Sequence, residues 1–443
     1  VLIAIGVLFL LNNLRPDFSF WQNIGRFWPF ILIGFGVLRL AEVLVGAGQG
    51  QTVMPRRGGG GGLALIIILC VIFWGAEHNH SRSIHIGNWN NGSLEIFGEQ
   101  YDYPISSKGS AEGVNLVVLE GVRGNVTVTG SDDEEYSAEG HKTVRSYNKS
   151  DADEADRRSP VKFVREGNRL VLKVDENSVS ADRKVSTEID IKVPRGVSLE
   201  ARGRSGDVTV SSIDGTVEVS SDRGDVRLSD IGGNTKLSVT HSGLIRVEDA
   251  KANVDLDGKG TDVQVINVGG QVTVNGSYSG TMEFKNLAKP LHFESPNTDM
   301  RVEKLPGSLT LDLSDLRANH VVGPMKFHTK SRDVHIEDFQ DTMEIDITEH
   351  GDIDLSSSQT PMAKVDVHTK NGDIDLALPE KAAFDLKANT NQGDAHNEFG
   401  TAVKLEVEGR SASLKSVDGR GPTIVANADR GSISVKKSSA SRD

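Results

Sequence analysis

GDVTVSSIDGTVEVSSDRGDVRL, residues 206–228, holds three copies of one short unit. Each copy opens on Gly, and its third and fifth residues are apolar: Val208 and Val210, Val217 and Val219, Val226 and Leu228. Alternation at period two puts both apolar side chains on one face of a short strand. The residue between them, Thr209, Glu218 or Arg227, points the other way and reads as solvated surface.

The unit continues in both spacing and kind. GNTKL (233–237), GLIRV (243–247), ANVDL (252–256) and, after a one-residue slip, TDVQV (261–265) follow, then GQVTV (270–274) and GTMEF (280–284). KPLHF (289–293), TDMRV (298–302) and GSLTL (307–311) are looser, and the pattern returns as DTMEI (341–345) and two copies of GDIDL (351–355, 372–376). The period is about nine residues. A five-residue strand cannot bury one face by itself. Two strands per coil of about 18 or 19 residues can face each other across a narrow core and stack on the next coil at about 4.8 Å. The expected fold class is therefore all-β, a β-solenoid of the right-handed β-helix type with two short strands per coil. A leading Gly supplies positive φ or close approach at a corner, and the Asp or Asn after it suits the same turn. A flat antiparallel sandwich is the alternative, but it needs no such regular spacing.

Composition agrees with many short strands. The chain has 443 residues with 47 glycines, and aromatics make up only 5%. Its net charge of −13 argues against general affinity for nucleic acid or anionic headgroups, which need concentrated Lys and Arg. Cys70 is the single cysteine, so the chain can form no internal disulfide and no Cys-based zinc site.

Ahead of the repeats lie three apolar runs, Val1 to Leu14, Phe27 to Gly48 and Leu63 to Gly75. The second alone has the roughly 20 residues that a membrane crossing requires. The first spans only if residues precede Val1, and the third only if it borrows from Gly58 to Gly62. Trp21, Trp28 and Trp74 near the run ends fit interfacial anchoring. Arg56 and Arg57 place the loop between the second and third runs in the cytoplasm, which puts everything after Gly75 outside. The expected organisation is transmembrane α-helices over 1–75, a juxtamembrane linker over 76–112, an N-terminal β section and cap over 113–203, solenoid repeats with a C-terminal cap over 204–437, and a disordered tail over 438–443. Within the N-terminal β section, SDDEEYSAEG and KSDADEADRR read as a polar excursion with a short helix. PTIVANADRGSISVKK reads as the last pair of strands.

LEGVRGNVTVTGSDDEE, then IDIKVPRGVSLEARGRSGDVTVSSIDGTVEVSSDRGDVRL, and finally DGRGPTIVANADRGSISV together resemble the bacterial adhesin-like β-repeat family called toastrack, over about Gly113 to Lys436. IAIGVLFLLNNL followed by FWPFILIGFGVLRL resembles the membrane region of LiaF-type envelope-stress proteins. These resemblances imply a bacterial envelope protein held in the cytoplasmic membrane, and they carry no catalytic motif onto any residue here. Lys289 to Ser331 departs from the Gly-led pattern.

Three groups of residues could carry chemistry. Asp352 and Asp354 recur as Asp373 and Asp375, a ladder of carboxylates that could bind calcium or serve as acid and base; turn-forming Asp is the plainer reading. His78, His80 and His85 could bind a metal or sense pH, but no carboxylate or Cys joins them at regular spacing. His350 and His368 lie about one coil apart and could stack. No nucleophile elbow, phosphate loop or HExxH helix is present. No catalytic, cofactor-binding or metal residue is therefore assigned, and no cofactor is expected. The functional expectation is a non-enzymatic, membrane-anchored envelope protein for adhesion, scaffolding or stress sensing. Its partners would be the lipid bilayer and an envelope protein, a glycan or another copy of itself. A carbohydrate-active β-helix enzyme is the alternative.

Overall fold

The structure, a computed structural model, describes residues 99–174, 184–360 and 362–438. The chain divides into two compact units, Val1–Leu94 and Glu95–Asp443, and all described residues belong to the second. The three apolar runs, the cluster His78, His80 and His85, and the tail beyond Ser438 lie outside the described residues. Among the described residues, no helix is long and apolar enough to cross a membrane.

The nine-residue unit builds an all-β solenoid. In one ladder of parallel strands Leu199 pairs with Val217, Val217 with Thr235, Thr235 with Val254, and Val254 with Val272. In the other, Val208 pairs with Val226, Val226 with Ile245, Ile245 with Val263, and Val263 with Met282. The steps are 18 or 19 residues: 217 to 235 is 18, and 235 to 254 is 19. Strands Val217–Ile231, Thr235–Ala250 and Val254–Val268 run through a corner and serve both ladders. The inward residues of both ladders form one core running from Ile105 to Val435. A fully buried Val or Leu contributes about 1.5–3 kcal/mol relative to exposure, so the inward column, not the outward charges, carries the stability.

Two kinds of corner repeat along the stack. At the first, Gly206 (φ 113°) and Gly224 (φ 114°) lie one above the other, and a Cβ on Gly224 would stand 2.1 Å from the Gly206 carbonyl oxygen. Both positive φ and close approach exclude any other residue. At the second, Ser212, Asp230, Asp249, Asn267, Asn286, His320 and Asp338 all take φ between 52° and 59°. Each sits two residues after the second inward apolar residue of a strand and one before the next. The left-handed step turns that next side chain, Ile213 or Ile231, back into the core. Asn, Asp, His and Ser are among the non-glycine residues that tolerate this conformation, and some of these side chains bond from coil to coil: Asn286 donates to Asn267 and Asn267 to Asp249, both at 2.9 Å.

The looser segment is one coil traversed backwards. Leu291–Ser295 turns through Pro296 and Asn297 into the antiparallel Thr298–Val302, and Leu305–Leu311 then runs antiparallel to Met282–Leu287. A second hairpin leads into Asp315–Val321, after which Met325–Ser331 and Asp333–Phe339 resume the forward path. Arg332 ties the two reversals together. Its Nε donates to the Asp312 carbonyl oxygen at 2.6 Å, and its Nη1 reaches the Thr298 and Thr329 hydroxyls.

Both ends are interleaved, which differs from the sequence expectation of a last pair of strands closing the stack. Thr423–Arg430 and Ile433–Ser438 lie between the coil of Val365–Asn371 and Ile374–Pro379 and the coil of Asp385–Thr390 and Ala395–Asn397. The hairpin Val403–Glu408 and Ser411–Ser416 is what ends that side. At the other end Leu116–Arg123 and Val126–Ser131 lie between Arg169–Val174 with Lys184–Pro194 and Ser198–Ser205 with Val208–Ile213. The polar excursion holds the one α-helix among the described residues, Lys149–Arg158. Asn148 caps it by accepting from the Asp151 N–H at 2.8 Å, and Ala152 and Ala155 bury against Val144 and Val185.

Candidate functional site

The outward row of the first ladder becomes small where it crosses the early coils. Glu120, Arg202, Ser220, Ser238 and Asp257 are register neighbours in that order. The next positions at the corner are Gly203, Ser221, Val239 and Gly258, again neighbours across the strands. Missing and short side chains leave a trough of about 720 Å³, rimmed by Arg202, Arg204, Asp222 and Thr240. Arg202 is drawn to Glu200 on its own strand, and the Thr240 hydroxyl donates to Asp222 at 3.5 Å. The lining thus offers guanidinium donors, hydroxyls of either sense and carboxylate acceptors along a line that crosses several strands. Such a surface can hold a polar, extended ligand through many modest hydrogen bonds.

A second polar row lies on the later coils. Asp299, His328, Asp346 and His368 are register neighbours across four strands. The Asp346 carboxylate takes both imidazoles, His328 Nδ1 on one oxygen and His368 Nδ1 on the other, each at 2.8 Å. Arg301, Lys326 and Glu344 join Asp299, His328 and Asp346 around a cavity of about 350 Å³. With both Nδ1 atoms engaged by one carboxylate, His328, Asp346 and His368 form a charge-assisted network, while Asp299 lies beside His292, 3.3 Å from its Nε2. Among the described residues, no group of three or more His, Cys, Asp or Glu is placed to hold a metal ion.

The residues singled out in the sequence fall elsewhere. Asp352 Oδ1 accepts the Asp373 N–H at 2.8 Å, and Asp373 Oδ1 accepts the Ser432 N–H at 2.7 Å. These carboxylates fasten one coil's corner to the next, as Asp207 does for the Asp225 N–H at 3.0 Å. Asp354 and Asp375 are neighbours facing out, but Asp375 lies 3.2 Å from Lys436 Nζ and Asp354 lies 3.8 Å from His335 Nδ1. His350 and His368 do not stack: His350 pairs with Ser331, and His368 with Asp346. The register step between these two strands is 22 residues, from Asp346 to His368, whereas His350 and His368 are 18 apart, so the two imidazoles fall four positions out of register. The trough was missed because its signal is smallness, the serines of VSSD and LSVT between charged neighbours, which resembles ordinary surface.

Two family models match the sequence. The family model described as Toastrack DUF4097 matches residues 115–436, and the LiaF transmembrane domain matches residues 1–89. Similar solved structures include a proposed cell adhesion protein from Clostridium sporogenes ATCC 15579, at 12% identity over 76% of this chain and 100% of that one, with a TM-score of 0.18. A proposed adhesin from Bacteroides fragilis NCTC 9343 shows 13% identity over 76% of this chain and 97% of its own, also with a TM-score of 0.18. No curated protein matches the sequence.

Proposed function

Because the chain belongs to the Toastrack family and carries a LiaF transmembrane domain ahead of it, we propose that it is a non-enzymatic receptor of the cell envelope. In this reading the apolar runs cross the cytoplasmic membrane several times and the solenoid stands on the outer side. The trough over Arg202, Ser220 and Ser238 is its binding surface, and the ligand is a polar envelope polymer, a glycan strand above all.

The observation that carries the reading is a trough formed by small and hydroxyl side chains with charged residues at its rim. A rigid stack fixes the spacing of those groups, so little ordering entropy is lost when an extended ligand lies across them. Adhesion and envelope-stress sensing both begin with such a binding step.

Full-length protein in nanodiscs should bind purified envelope glycan fragments, and Arg202→Ser with Arg204→Ser should weaken binding about tenfold or more, the scale of lost charge-assisted hydrogen bonds. Unchanged affinity in the double variant would remove the trough from the proposal. Protease shaving of intact cells should release the 95–443 unit, whereas full protection would overturn the topology. Glu120, Asp222 and Asp257 in the same trough give the carbohydrate-active alternative its one foothold. New reducing ends appearing during the binding assay would favour that alternative.

A further inference from the structure

The core runs out into solvent at one end of the solenoid. Ala388 pairs with Leu414 and Leu414 with Leu405, while Thr390 pairs with Ala412 and Ala412 with Val407. Along the first column exposure is 1%, 1% and then 45% at Leu405. Along the second it is 1%, 5% and then 68% at Val407. The opposite end is covered, since Phe163 on Val161–Glu166 packs against Tyr136 with ring centroids 4.7 Å apart. Strand Val403–Glu408 has one paired neighbour among the described residues, Ser411–Ser416, and Lys404 to Glu408 are all exposed.

Its free edge has a definite polarity. The two-residue loop Gly409 and Arg410 closes on the pair Glu408 and Ser411. In such a hairpin the closing pair is hydrogen-bonded and alternation follows from it, so Lys404, Glu406 and Glu408 turn their backbone groups toward Ser411–Ser416. Leu405 and Val407 turn theirs outward, whereas at Val403 the N–H already donates to the Gly400 carbonyl oxygen and the carbonyl oxygen accepts from Asn397 Nδ2 at 3.3 Å, so the open stretch of the edge is centred on Leu405. An open edge of this kind is a template for one more strand.

We propose that the strand covering this edge is Val403–Glu408 of a second copy of the chain, antiparallel, with the two-fold axis through Leu405. The sequence VKLEVE selects that occupant and that register. An axis at Lys404 would place Lys404 against itself, and an axis at Glu406 would place Glu406 against itself. The axis at Leu405 sets Lys404 of each copy opposite Glu406 of the other, Leu405 opposite Leu405, and Val407 beside Val403. Lys404 and Glu406 already lie 2.6 Å apart on one face within a single chain, so both charges are positioned on the face where the exchange occurs. Leu405 and Val407 then continue the core column across the axis into the second copy. The pairing is isologous and closes at two chains. One strand pair buries little area for a stable complex, so the dimer is weak in solution and is promoted by confinement of both copies to one membrane. This inference is independent of what the trough binds.

The test uses the full-length chain in liposomes, on a Cys70→Ser background. Hydrogen-bonded antiparallel partners have Cα atoms about 5.5 Å apart, within disulfide range, so Leu405→Cys should give a cross-linked dimer on mild oxidation. Glu406→Cys should not, because its counterpart sits off the axis. Lys404→Glu in the Leu405→Cys chain places two like-charge pairs in the interface and should lower the cross-linking rate about tenfold. Adding Glu406→Lys should restore it. These side chains are exposed, so circular dichroism should be unchanged throughout. Absence of a Leu405→Cys dimer, equal cross-linking at Glu406→Cys, open-ended oligomers, or failure of the charge swap to rescue would each overturn the proposal.

Discussion

Lys142 Nζ lies 2.6 Å from the Ser159 carbonyl oxygen, at the C-terminal end of the only α-helix among the described residues. The same ammonium lies 2.6 Å from Asp156 Oδ1 and 2.9 Å from the Asp156 carbonyl oxygen, and its side chain is only 3% exposed. A cation at a helix C-terminus is favoured by the helix dipole, and here it also satisfies carbonyls that the helix cannot. Lys142→Met keeps the stem but removes these bonds. It should lower stability by about 2–3 kcal/mol, the cost of stranding buried acceptors and a partly buried carboxylate, read as the midpoint of urea unfolding.

The glycine corners separate two effects of adding a methyl group. Gly224→Ala meets the Gly206 carbonyl at 2.1 Å as well as the wrong sign of φ, and it should cost about 3 kcal/mol or more. Gly167 has φ 68° with nothing within 4 Å of an added Cβ, so Gly167→Ala should cost only about 1–2 kcal/mol. Equal losses in a thermal melt would mean that the stacked carbonyl gives way.

At the other corner the expected sign can be reversed by choice of residue. Ser212 takes φ 59°, so Ser212→Gly should raise stability by up to about 1 kcal/mol. Ser212→Val should lower it by about 1–2 kcal/mol. Chemical denaturation of the pair of variants measures the difference.

The second reversal holds an acid-sensitive contact. The Asp312 carboxylate accepts from the Asp315 N–H and the Ser314 N–H, each at 2.8 Å, and from the Ser314 hydroxyl at 3.0 Å. The Asp315 bond is the largest of several influences holding its carboxyl below the usual range, and burial opposes them. With the folded value depressed, this contribution is fully present above the ordinary carboxylate value and is lost as pH falls through the lower folded one. Asp312→Ala should therefore reduce stability at neutral pH by about 1 kcal/mol and flatten the stability profile below about pH 4. An acid limb identical to that of the parent chain would count against this assignment.

Much of this fold was written in local pattern. Val208 with Val210 and Val226 with Leu228 declare their inward face, and the Gly-Asp pairs declare one corner, because period and turn chemistry act within a few residues. The second corner is also written there, as a Ser, Asp, Asn or His recurring just before the third inward residue, but those types are common in loops and do not mark a column by themselves. The reversed coil had signals too, with Pro296 and Asn297 at one turn and Asp312 to Ser314 at the other. What no local pattern carries is which coil stacks on which. Every unit offers the same alternating face, so nothing in PTIVANADRGSISVKK says that it enters between two earlier coils. The trough suffers the same ambiguity: Arg202, Ser220 and Ser238 come together only through register.

That interleaving bears on how the protein is made. The coil of Asp385–Thr390 and Ala395–Asn397 pairs with Thr423–Arg430 and Ile433–Ser438, strands that leave the ribosome after it. During synthesis it has no seat until they emerge, and the preceding coil presents a bare edge in the meantime. Completion of the sheet is thus delayed until translation has passed Ser438, and a chain released before that point lacks the piece that joins its last coil to the rest. The order of the strands in the stack is therefore not the order in which they can be added to it.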